Sequence, residues 1–148
     1  PRMADLKNIT FETNGTQKLH DSFKIYLAQW AKEKPGREVT FSVSAKLSAS
    51  GEKREDAICP EIVTSYQTYG HTYLKFVVET EEHVNEAVRA VDEFRAGGFT
   101  GSVYLMPQGG VVTPYAENRV KVADWALARG YNYSPRLHVD LWGNGWGK

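Results

Sequence analysis

The sequence lacks cysteines in number, net charge and long apolar runs, and each absence removes a class of protein. Its single cysteine, Cys59, excludes an internal disulfide framework and any metal site built from several cysteines. Lysine plus arginine number 18 and aspartate plus glutamate number 18, which argues against binding nucleic acid or a membrane surface through bulk charge. No apolar run approaches the roughly 18 residues of a transmembrane helix. We therefore expect a cytoplasmic protein that contacts neither a membrane nor, directly, a nucleic acid.

The length of 148 residues is that of one domain with a sizeable core, and no internal sequence repeat or low-complexity tract is visible. We therefore expect a single domain over residues 1–148. Pro1 to Leu6 is short and mixed in character, which is not typical of a signal peptide. Pro1-Arg2-Met3 is an unusual start and indicates a truncation, a cloning junction or a chain with an earlier part.

Strand and helix patterns alternate along the chain. Alternating apolar residues predict strands at Asn8–Thr13, Glu38–Lys46, Tyr73–Glu79, Ser102–Pro107 and Leu137–Trp142. Helical spacing and terminal residues predict helices capped by Asp21, started by Pro60 and ending near Tyr69, capped by Thr80, and capped by Thr113 with Pro114 first and Gly130 at the end. Strand centres lie roughly 30 residues apart, the length of a right-handed strand–helix–strand unit. The sequence therefore predicts a parallel sheet.

Each predicted strand has a polar face. That face carries Thr10, Glu12, Thr40, Ser42, Ser44, Lys75, Tyr104, His138, Asp140 and Trp142. Parallel strands covered on both faces are nearly continuous apolar runs, so this pattern favours a curled, partial barrel with helices outside and a polar ligand inside. Chemistry in such folds lies at the carboxyl ends of the strands. The alternative is an open sheet with one solvated face, although such a face usually carries more Lys and Glu.

The last predicted strand lies within "SPRLHVDLWGN", Ser134 to Asn144. Its alternation predicts that Leu137, Val139 and Leu141 pack under helices. His138, Asp140 and Trp142 are then predicted to face the lumen.

Several motifs occur in an order that resembles one enzyme family. They are "FETNGT" (Phe11–Thr16), "SVSAKLSASGE" (Ser42–Glu52), "LKFVV" (Leu74–Val78), "VYLMPQG" (Val103–Gly109) and "SPRLHVDLWGN". Together they resemble the carboxy-terminal two-thirds of 7-carboxy-7-deazaguanine synthase, a radical S-adenosylmethionine (SAM) enzyme. The departures are that Ala45 stands where the family often has proline, and that the family's "GGEP" strand end is absent.

The resemblance implies a fold, a reaction and a set of cofactors. The fold is a partial (β/α) barrel of the radical SAM type, usually a homodimer, with parallel strands and helices on the outer face. The reaction converts 6-carboxy-5,6,7,8-tetrahydropterin to 7-carboxy-7-deazaguanine with loss of ammonia, a step toward queuosine and other 7-deazapurines. The family uses SAM, a [4Fe–4S] cluster and Mg²⁺. The cluster is held by a CxxxCxxC loop, which this chain lacks, so the resemblance implies that the cluster-binding first units are missing here.

The resemblance also implies roles for residues at the strand ends. The residues implied for SAM are Glu12, Asn14, Ser44, Lys46 and Gln108, with Met106 an alternative to Gln108. Substrate-binding roles are implied for His138 and Arg136. The glycine-rich segment Gly143–Lys148 is expected to close over the substrate. A carboxylate can hold a ribose hydroxyl or an ammonium, an imidazole can contact a polar pterin edge, and a guanidinium can hold a carboxylate. No metal ligand and no catalytic residue is predicted in this chain.

Structural roles compete with several of these. Asn14-Gly15 is a common turn, Lys46 is equally a loop lysine, and Arg136 is equally a surface arginine. Two other functions stay open. One is a non-catalytic half-barrel that binds a pterin or purine without iron. The other is a Schiff-base aldolase using Lys46 or Lys75.

Overall fold

The computed structural model of the chain describes residues 5–109, 112–143 and 145, with the backbone alone for 112–114. The elements in chain order are β1 (Asn8–Thr13), α1 (Asp21–Glu33), β2 (Glu38–Val43), a 3₁₀ turn (Ser48–Ser50), α2 (Arg54–Ala57), α3 (Pro60–Tyr66), β3 (His71–Val78), α4 (Glu81–Ala96), β4 (Val103–Pro107), α5 (Val112–Ala128), β5 (Asn132–Tyr133) and α6 (Leu137–Trp142). The first four predicted strands and the predicted helices are therefore present, with boundaries that differ by a few residues.

The strands form one parallel sheet in the order β1-β2-β3-β4-β5. Each strand pairs with the next one in sequence, as expected where a helix returns the chain to the same end of the sheet. The predicted parallel α/β architecture is confirmed. Its consequence for a site is that the carboxyl ends of neighbouring strands meet along one edge.

The core lies on one face of this sheet. Side chains from α1, α3, α4 and α5 pack on the apolar strand face in a single buried cluster, whose strand members include Val39, Phe41, Val43, Leu74, Phe76, Val78, Val103 and Leu105. Helix α4 has the terminal signals that its sequence predicts: the Thr80 hydroxyl oxygen accepts a hydrogen bond from the His83 N–H at 3.2 Å, and Glu81 and Glu82 occupy the first turn. Burial of the helices on one side leaves the opposite strand face to the polar residues.

A glycine sets the turn after β1. Gly15 has φ +83°, and a Cβ there would lie 2.7 Å from Val43 Cγ1 and 2.9 Å from Val63 Cγ2. Both the conformation and the space therefore require glycine. Its N–H donates to the Thr13 hydroxyl at 3.1 Å, which holds the turn against the end of β1.

The predicted last strand is wrong: Leu137–Trp142 is helix α6. The sheet position beside β4 is taken by the short strand Asn132–Tyr133, and the Ser134 N–H makes a further ladder bond to the Leu105 carbonyl at 2.9 Å. The next donor in this register is the Arg136 N–H, which donates instead to the Tyr115 hydroxyl oxygen at 3.0 Å, so the ladder stops after Ser134. The backbone then closes helical bonds, with the Gly143 N–H donating to the Val139 carbonyl at 2.9 Å.

The side-chain pattern predicted for that strand is wrong as well. Val139 is buried, but Leu137 and Leu141 are 60% and 57% exposed rather than packed under helices. His138 and Trp142 lie at the surface, and Asp140 turns toward α5. In a helix, residues four apart share a face, so Leu137 and Leu141 point the same way. An alternating pattern over only six residues fits both the two-residue period of a strand and the 3.6-residue period of a helix. The pattern therefore does not distinguish a strand from a helix here.

Several other helix and strand boundaries differ from those predicted from the sequence. His20, not Asp21, is the N-cap of α1, and it makes no side-chain cap bond. Strand β2 ends at Val43 instead of Lys46, and the loop after it contains the 3₁₀ turn and α2. Helix α3 ends at Tyr66, and α5 begins at Val112 rather than at Pro114. Within the described part of the chain, no helix has the length and apolarity needed to cross a membrane.

Candidate cofactor and substrate site

A cleft of about 270 Å³ lies at the carboxyl ends of β2, β3 and β4. Its walls are Ser44, Ala45, Lys46, Leu47, Ala49, Ser50, Lys75, Val77, Gln108 and Arg136. We call it the strand-end cleft. Ser44, Lys46, Gln108 and Arg136, chosen from the sequence, are brought together in it. They come from three separate segments of the chain, so only the sheet places them side by side.

Backbone hydrogen bonds fix the wall residues just beyond the strands. The Ser44 N–H donates to the Thr13 carbonyl at 2.7 Å, and the Gln108 N–H donates to the Val78 carbonyl at 2.8 Å. The parallel ladder thus continues one step past β2 and β4. Ser44 and Gln108 are therefore held on the sheet, while the side chains of the loop that follows Ser44 form the opposite wall.

Arg136 is anchored to β4 by its side chain and to α5 by its backbone. Its Nε donates to the Pro107 carbonyl at 2.9 Å, and its backbone N–H donates to the Tyr115 hydroxyl oxygen at 3.0 Å. Tyr115 in turn donates to Asp140 Oδ2 at 2.8 Å, and Arg119 donates to Asp140 Oδ1 at 3.3 Å. Burial is the main reason that the pKa of the Tyr115 phenol lies well above its usual value. This α5–α6 network places the guanidinium at the end of β4.

Glu12 lies beside the cleft and is paired with one of its wall residues. Lys75 Nζ is 3.1 Å from Glu12 Oε2, and Lys75 is the more buried partner, at 17% side-chain exposure against 62%. The strand register puts Ser42 between them, opposite Glu12 on one side and Tyr73 on the other. The Ser42 hydroxyl is buried, with no hydrogen-bond partner among the described residues. The polar face therefore leads directly from Glu12 into the cleft.

Lys75 also lines the cleft, although the sequence pattern suggests for it only Schiff-base chemistry. The available signal was its place on the polar face of β3, directly between the strands that carry Ser44 and Gln108. Its relation to Glu12 depends on the register across β2, which the sequence does not state.

The strand-end cleft is electropositive. Its cations are Lys46, Lys75 and Arg136, and none of the described residues that line it carries a carboxylate. A concave surface of one sign concentrates ligands of the opposite charge. Guanidinium and ammonium groups bind carboxylates through charge-assisted hydrogen bonds. The cleft is thus suited to the carboxylate end of a small ligand.

Other predicted positions do not line this cleft. Asn14 Oδ1 accepts from the Thr16 N–H at 3.3 Å and from the Thr16 hydroxyl at 2.9 Å, so that oxygen stabilises the turn after β1. His138 is at the surface on α6, and Met106 lies on the open sheet face opposite Val77. The glycine-rich tail lies mostly outside the described residues. The binding roles of Asn14 and His138 stay predictions.

A larger cleft of about 650 Å³ lies on the other side of the loop after β2, and we call it the outer cleft. Its walls are Ser48, Arg54, Thr80, Glu82, His83, Glu86, Arg89 and Glu93. Several of these charges already pair with each other, since Arg54 contacts both Glu86 and Glu93. None of the residues predicted from the sequence as site residues lines the outer cleft, so the strand-end cleft is the candidate site.

The residues present do not fit an iron–sulfur cluster. Among residues 5–109, 112–143 and 145, no group of three or more His, Cys, Asp or Glu side chains is arranged to hold a metal ion. Cys59 precedes α3, away from the strand-end cleft, and its thiol donates to the Asp56 carbonyl at 3.6 Å. Burial, followed by the nearby carboxylates, raises the pKa of that thiol, which disfavours the thiolate that binds metal.

Comparison with known proteins identifies the relatives of this chain. The 7-carboxy-7-deazaguanine synthase of Halobacterium salinarum is 32% identical over 139 residues, covering 90% of this chain and 53% of the relative. That of Pyrobaculum aerophilum is 32% identical over 108 residues, covering 73% and 45%, and that of Rhodopirellula baltica is 33% identical over 73 residues, covering 49% and 28%. This chain is a sequence relative of the 7-carboxy-7-deazaguanine synthases. The resemblance drawn from the motifs is confirmed.

The chain spans about half the length of the Halobacterium salinarum and Pyrobaculum aerophilum relatives, 53% and 45% respectively. No protein-family model matches the chain, and no solved structure matches it.

Proposed function

We propose that this chain forms the SAM- and substrate-binding part of a 7-carboxy-7-deazaguanine synthase. The reaction is the radical-SAM ring contraction of 6-carboxy-5,6,7,8-tetrahydropterin to 7-carboxy-7-deazaguanine with loss of ammonia. The enzyme is a carbon–nitrogen lyase of the 7-deazapurine pathway, acting as a homodimer. The similarity to the named synthases supports this proposal.

One structural observation carries the proposal: the strand-end cleft gathers Ser44, Lys46, Gln108 and Arg136 at the carboxyl edge of a parallel sheet. Ligands of α/β folds bind at that edge. Both SAM and the pterin substrate carry a carboxylate, and the cleft presents cations. Its volume of about 270 Å³ lies just below the range of roughly 300–1,000 Å³ for ligand pockets. The size of the cleft is therefore close to that of a small-ligand pocket.

A partial barrel is the architecture that we propose for the whole enzyme, with residues 1–148 as its carboxy-terminal part. Among the described residues, helices cover one sheet face only and β1 is an edge strand. Beside β1 lies a mostly apolar groove of about 320 Å³ whose walls include Phe11, Leu19, Phe23 and Phe41. Further strand–helix units next to β1 would cover that groove and pair the free strand edge.

The residues divide between two ligands in this proposal. SAM is assigned to Glu12, Asn14, Ser44, Lys46 and Gln108, and the pterin to Arg136 and His138. The radical chemistry would be supplied by SAM at an iron–sulfur cluster, for which the described residues offer no ligand set. The described residues provide orientation: Ser44 and Gln108 are held by ladder bonds, and Arg136 is held by Pro107. Cluster and Mg²⁺ ligands come from outside the described residues.

A second function, a pterin- or purine-binding module without iron, is favoured by one observation. The sequence contains a single cysteine, so the chain by itself cannot supply the three thiolates of the family's cluster. The two functions share a cleft and differ in metal content. Intact mass and iron content of the isolated protein therefore distinguish them.

Anaerobic calorimetry tests the assignment of the cleft. We expect SAM to bind the protein, and Lys46→Met to weaken binding by about tenfold, equivalent to ~1.4 kcal/mol. Lys32→Met is the matched control, because Lys32 is an exposed lysine on α1 that does not line the cleft. Equal affinities for the wild type and Lys46→Met contradict the assignment. Iron together with SAM binding supports the synthase, whereas pterin binding by an iron-free protein supports the module.

A further inference from the structure

Glu86 joins helix α4 to the loop after β2. Its Oε1 accepts the Ser48 N–H at 2.8 Å, and its Oε2 accepts the Ser48 hydroxyl at 2.7 Å. Arg54 lies 3.8 Å from the same carboxylate. Glu86 is 8% exposed, so the carboxylate has been withdrawn from water for this contact. A buried carboxylate is costly unless hydrogen bonds replace its hydration, and here Ser48 provides them.

Ser48 is a junction between the two clefts. Residues 44–47, 49 and 50 line the strand-end cleft, whereas Ser48 lines the outer cleft. The 3₁₀ turn that starts at Ser48 is closed by hydrogen bonds from the Ser50 N–H and hydroxyl to the Leu47 carbonyl, at 2.9 and 2.8 Å. Gly51, with φ +80°, ends the turn. Fixing Ser48 therefore fixes the segment on both sides of it.

We propose that Glu86 is a positioning residue for the strand-end cleft. By holding both polar groups of Ser48, it sets the position of the wall that carries Lys46. Without this contact the wall keeps its turn but loses its attachment to α4. The identity of the ligand as SAM rests on the proposed function, whereas the attachment of the wall does not.

The chain offers a matched control on the same helix. Glu93 lies two turns after Glu86, is also paired with Arg54 and is 49% exposed. No described hydrogen bond joins its side chain to residues 44–50. Glu86→Ala and Glu93→Ala remove the same carboxylate from the same helix, so a difference between them reports the contact with Ser48.

Hydrogen exchange measured on the ligand-free protein tests the attachment. We expect amides in 44–51 to exchange about tenfold faster in Glu86→Ala and within about twofold of wild type in Glu93→Ala. Ser48→Ala, at an exposed position, keeps the backbone contact and removes the hydroxyl one, so a smaller increase is expected. This second variant provides the test if Glu86→Ala does not fold. Unchanged exchange in 44–51 in the folded variants overturns the inference.

SAM affinity then tests the consequence for the cleft. We expect Glu86→Ala to raise the dissociation constant about tenfold at an unchanged number of sites, and Glu93→Ala to leave it within about twofold. In a Ser48→Ala background, Glu86→Ala should raise the dissociation constant by a smaller factor, because the two residues act through one contact. Faster exchange with unchanged affinity overturns the positioning role. A wild-type protein without affinity for SAM instead contradicts the proposed function, and the exchange result still judges the attachment.

Discussion

Lys75 Nζ lies 3.1 Å from Glu12 Oε2, so a single ion pair spans β2 and joins β1 to β3 on the polar face of the sheet. Lys75 also lines the strand-end cleft. The pair therefore links the residue predicted to contact SAM with the electropositive wall. Because Glu12 is 62% exposed, solvent weakens the attraction, and the pair is expected to matter more for ligand binding than for folding.

Lys75→Met is expected to weaken binding of a carboxylate ligand by about tenfold while lowering the free energy of unfolding by at most about 1 kcal/mol. The reason is that the substitution removes one cation from the cleft but keeps the apolar stem. Calorimetry with SAM and denaturant unfolding measure the two effects. Lys24→Met, which removes an exposed ion pair with Asp21 on α1, is the control for loss of a surface cation. A ligand affinity equal to wild type refutes a role for Lys75 in the cleft.

Gly15→Ala is expected to destabilise the protein more than Gly36→Ala. Both glycines have a positive φ, +83° and +77°, so each alanine incurs the left-handed penalty of about 1–2 kcal/mol. Only at Gly15 does the added Cβ meet neighbours, Val43 and Val63, whereas at Gly36 nothing lies within 4 Å. We expect a further loss of about 1–3 kcal/mol at Gly15 from overpacking. Urea unfolding measures the difference, and equal losses would show that the turn yields to the added methyl group.

Stability should fall in alkaline solution, and Tyr115 should be one cause. Burial first, then hydrogen bonds with Tyr133 and Asp140, raise the pKa of the Tyr115 phenol above its ordinary value of 10.0. The native state then holds its proton at a pH where the unfolded chain has lost it. The contribution is full below about pH 10 and declines as the pH rises, by at most ~1.4 kcal/mol per pH unit for one group.

Tyr115→Phe provides the check. At pH 7 we expect a loss of about 1–2 kcal/mol, because Asp140 and the Arg136 N–H lose a partner. Above pH 10 the variant should lose stability less steeply than the wild type. Some slope should remain, since burial also raises the pKa values of Tyr66 and Tyr131. Parallel curves of unfolding free energy against pH for the two proteins would rule out Tyr115 as a cause.

Arg136→Ala and His138→Ala test whether these two residues bind the pterin substrate. Arg136 is held in the cleft by Pro107, and we expect its loss to weaken pterin binding by about tenfold. His138→Ala is expected to weaken pterin binding more than SAM binding. Calorimetry with each ligand on the intact protein measures both ratios. Equal losses for the two ligands would instead indicate that His138 has a structural role, in keeping with its surface position on α6.

The meeting of several wall residues was predictable because the carboxyl ends of parallel strands all lie at the same edge of the sheet. Once residues 44, 46 and 108 are recognised as lying just after strands, this geometry places them at one edge of the sheet, and the cleft confirms that they meet there. Arg136 was predicted as a strand start and reaches the same cleft from the start of a helix, so its position was right for a different structural reason. Lys75 and Glu86 were not assigned to the site, because their relevant partners are 63 and 38 residues away.

The sequence by itself determined the alternation of strands and helices, the parallel sheet, the polar strand face and the relationship to the 7-carboxy-7-deazaguanine synthases, because periodicity, capping residues and motifs are local properties. Only the tertiary structure decided that Leu137–Trp142 is a helix, that Lys75 pairs with Glu12 and that Glu86 holds Ser48. The physical reason is that each depends on competition or register between distant segments. Asn132–Tyr133 occupies the edge of β4 before the last segment can reach it, and a buried carboxylate is stable only where donors from another part of the chain meet it.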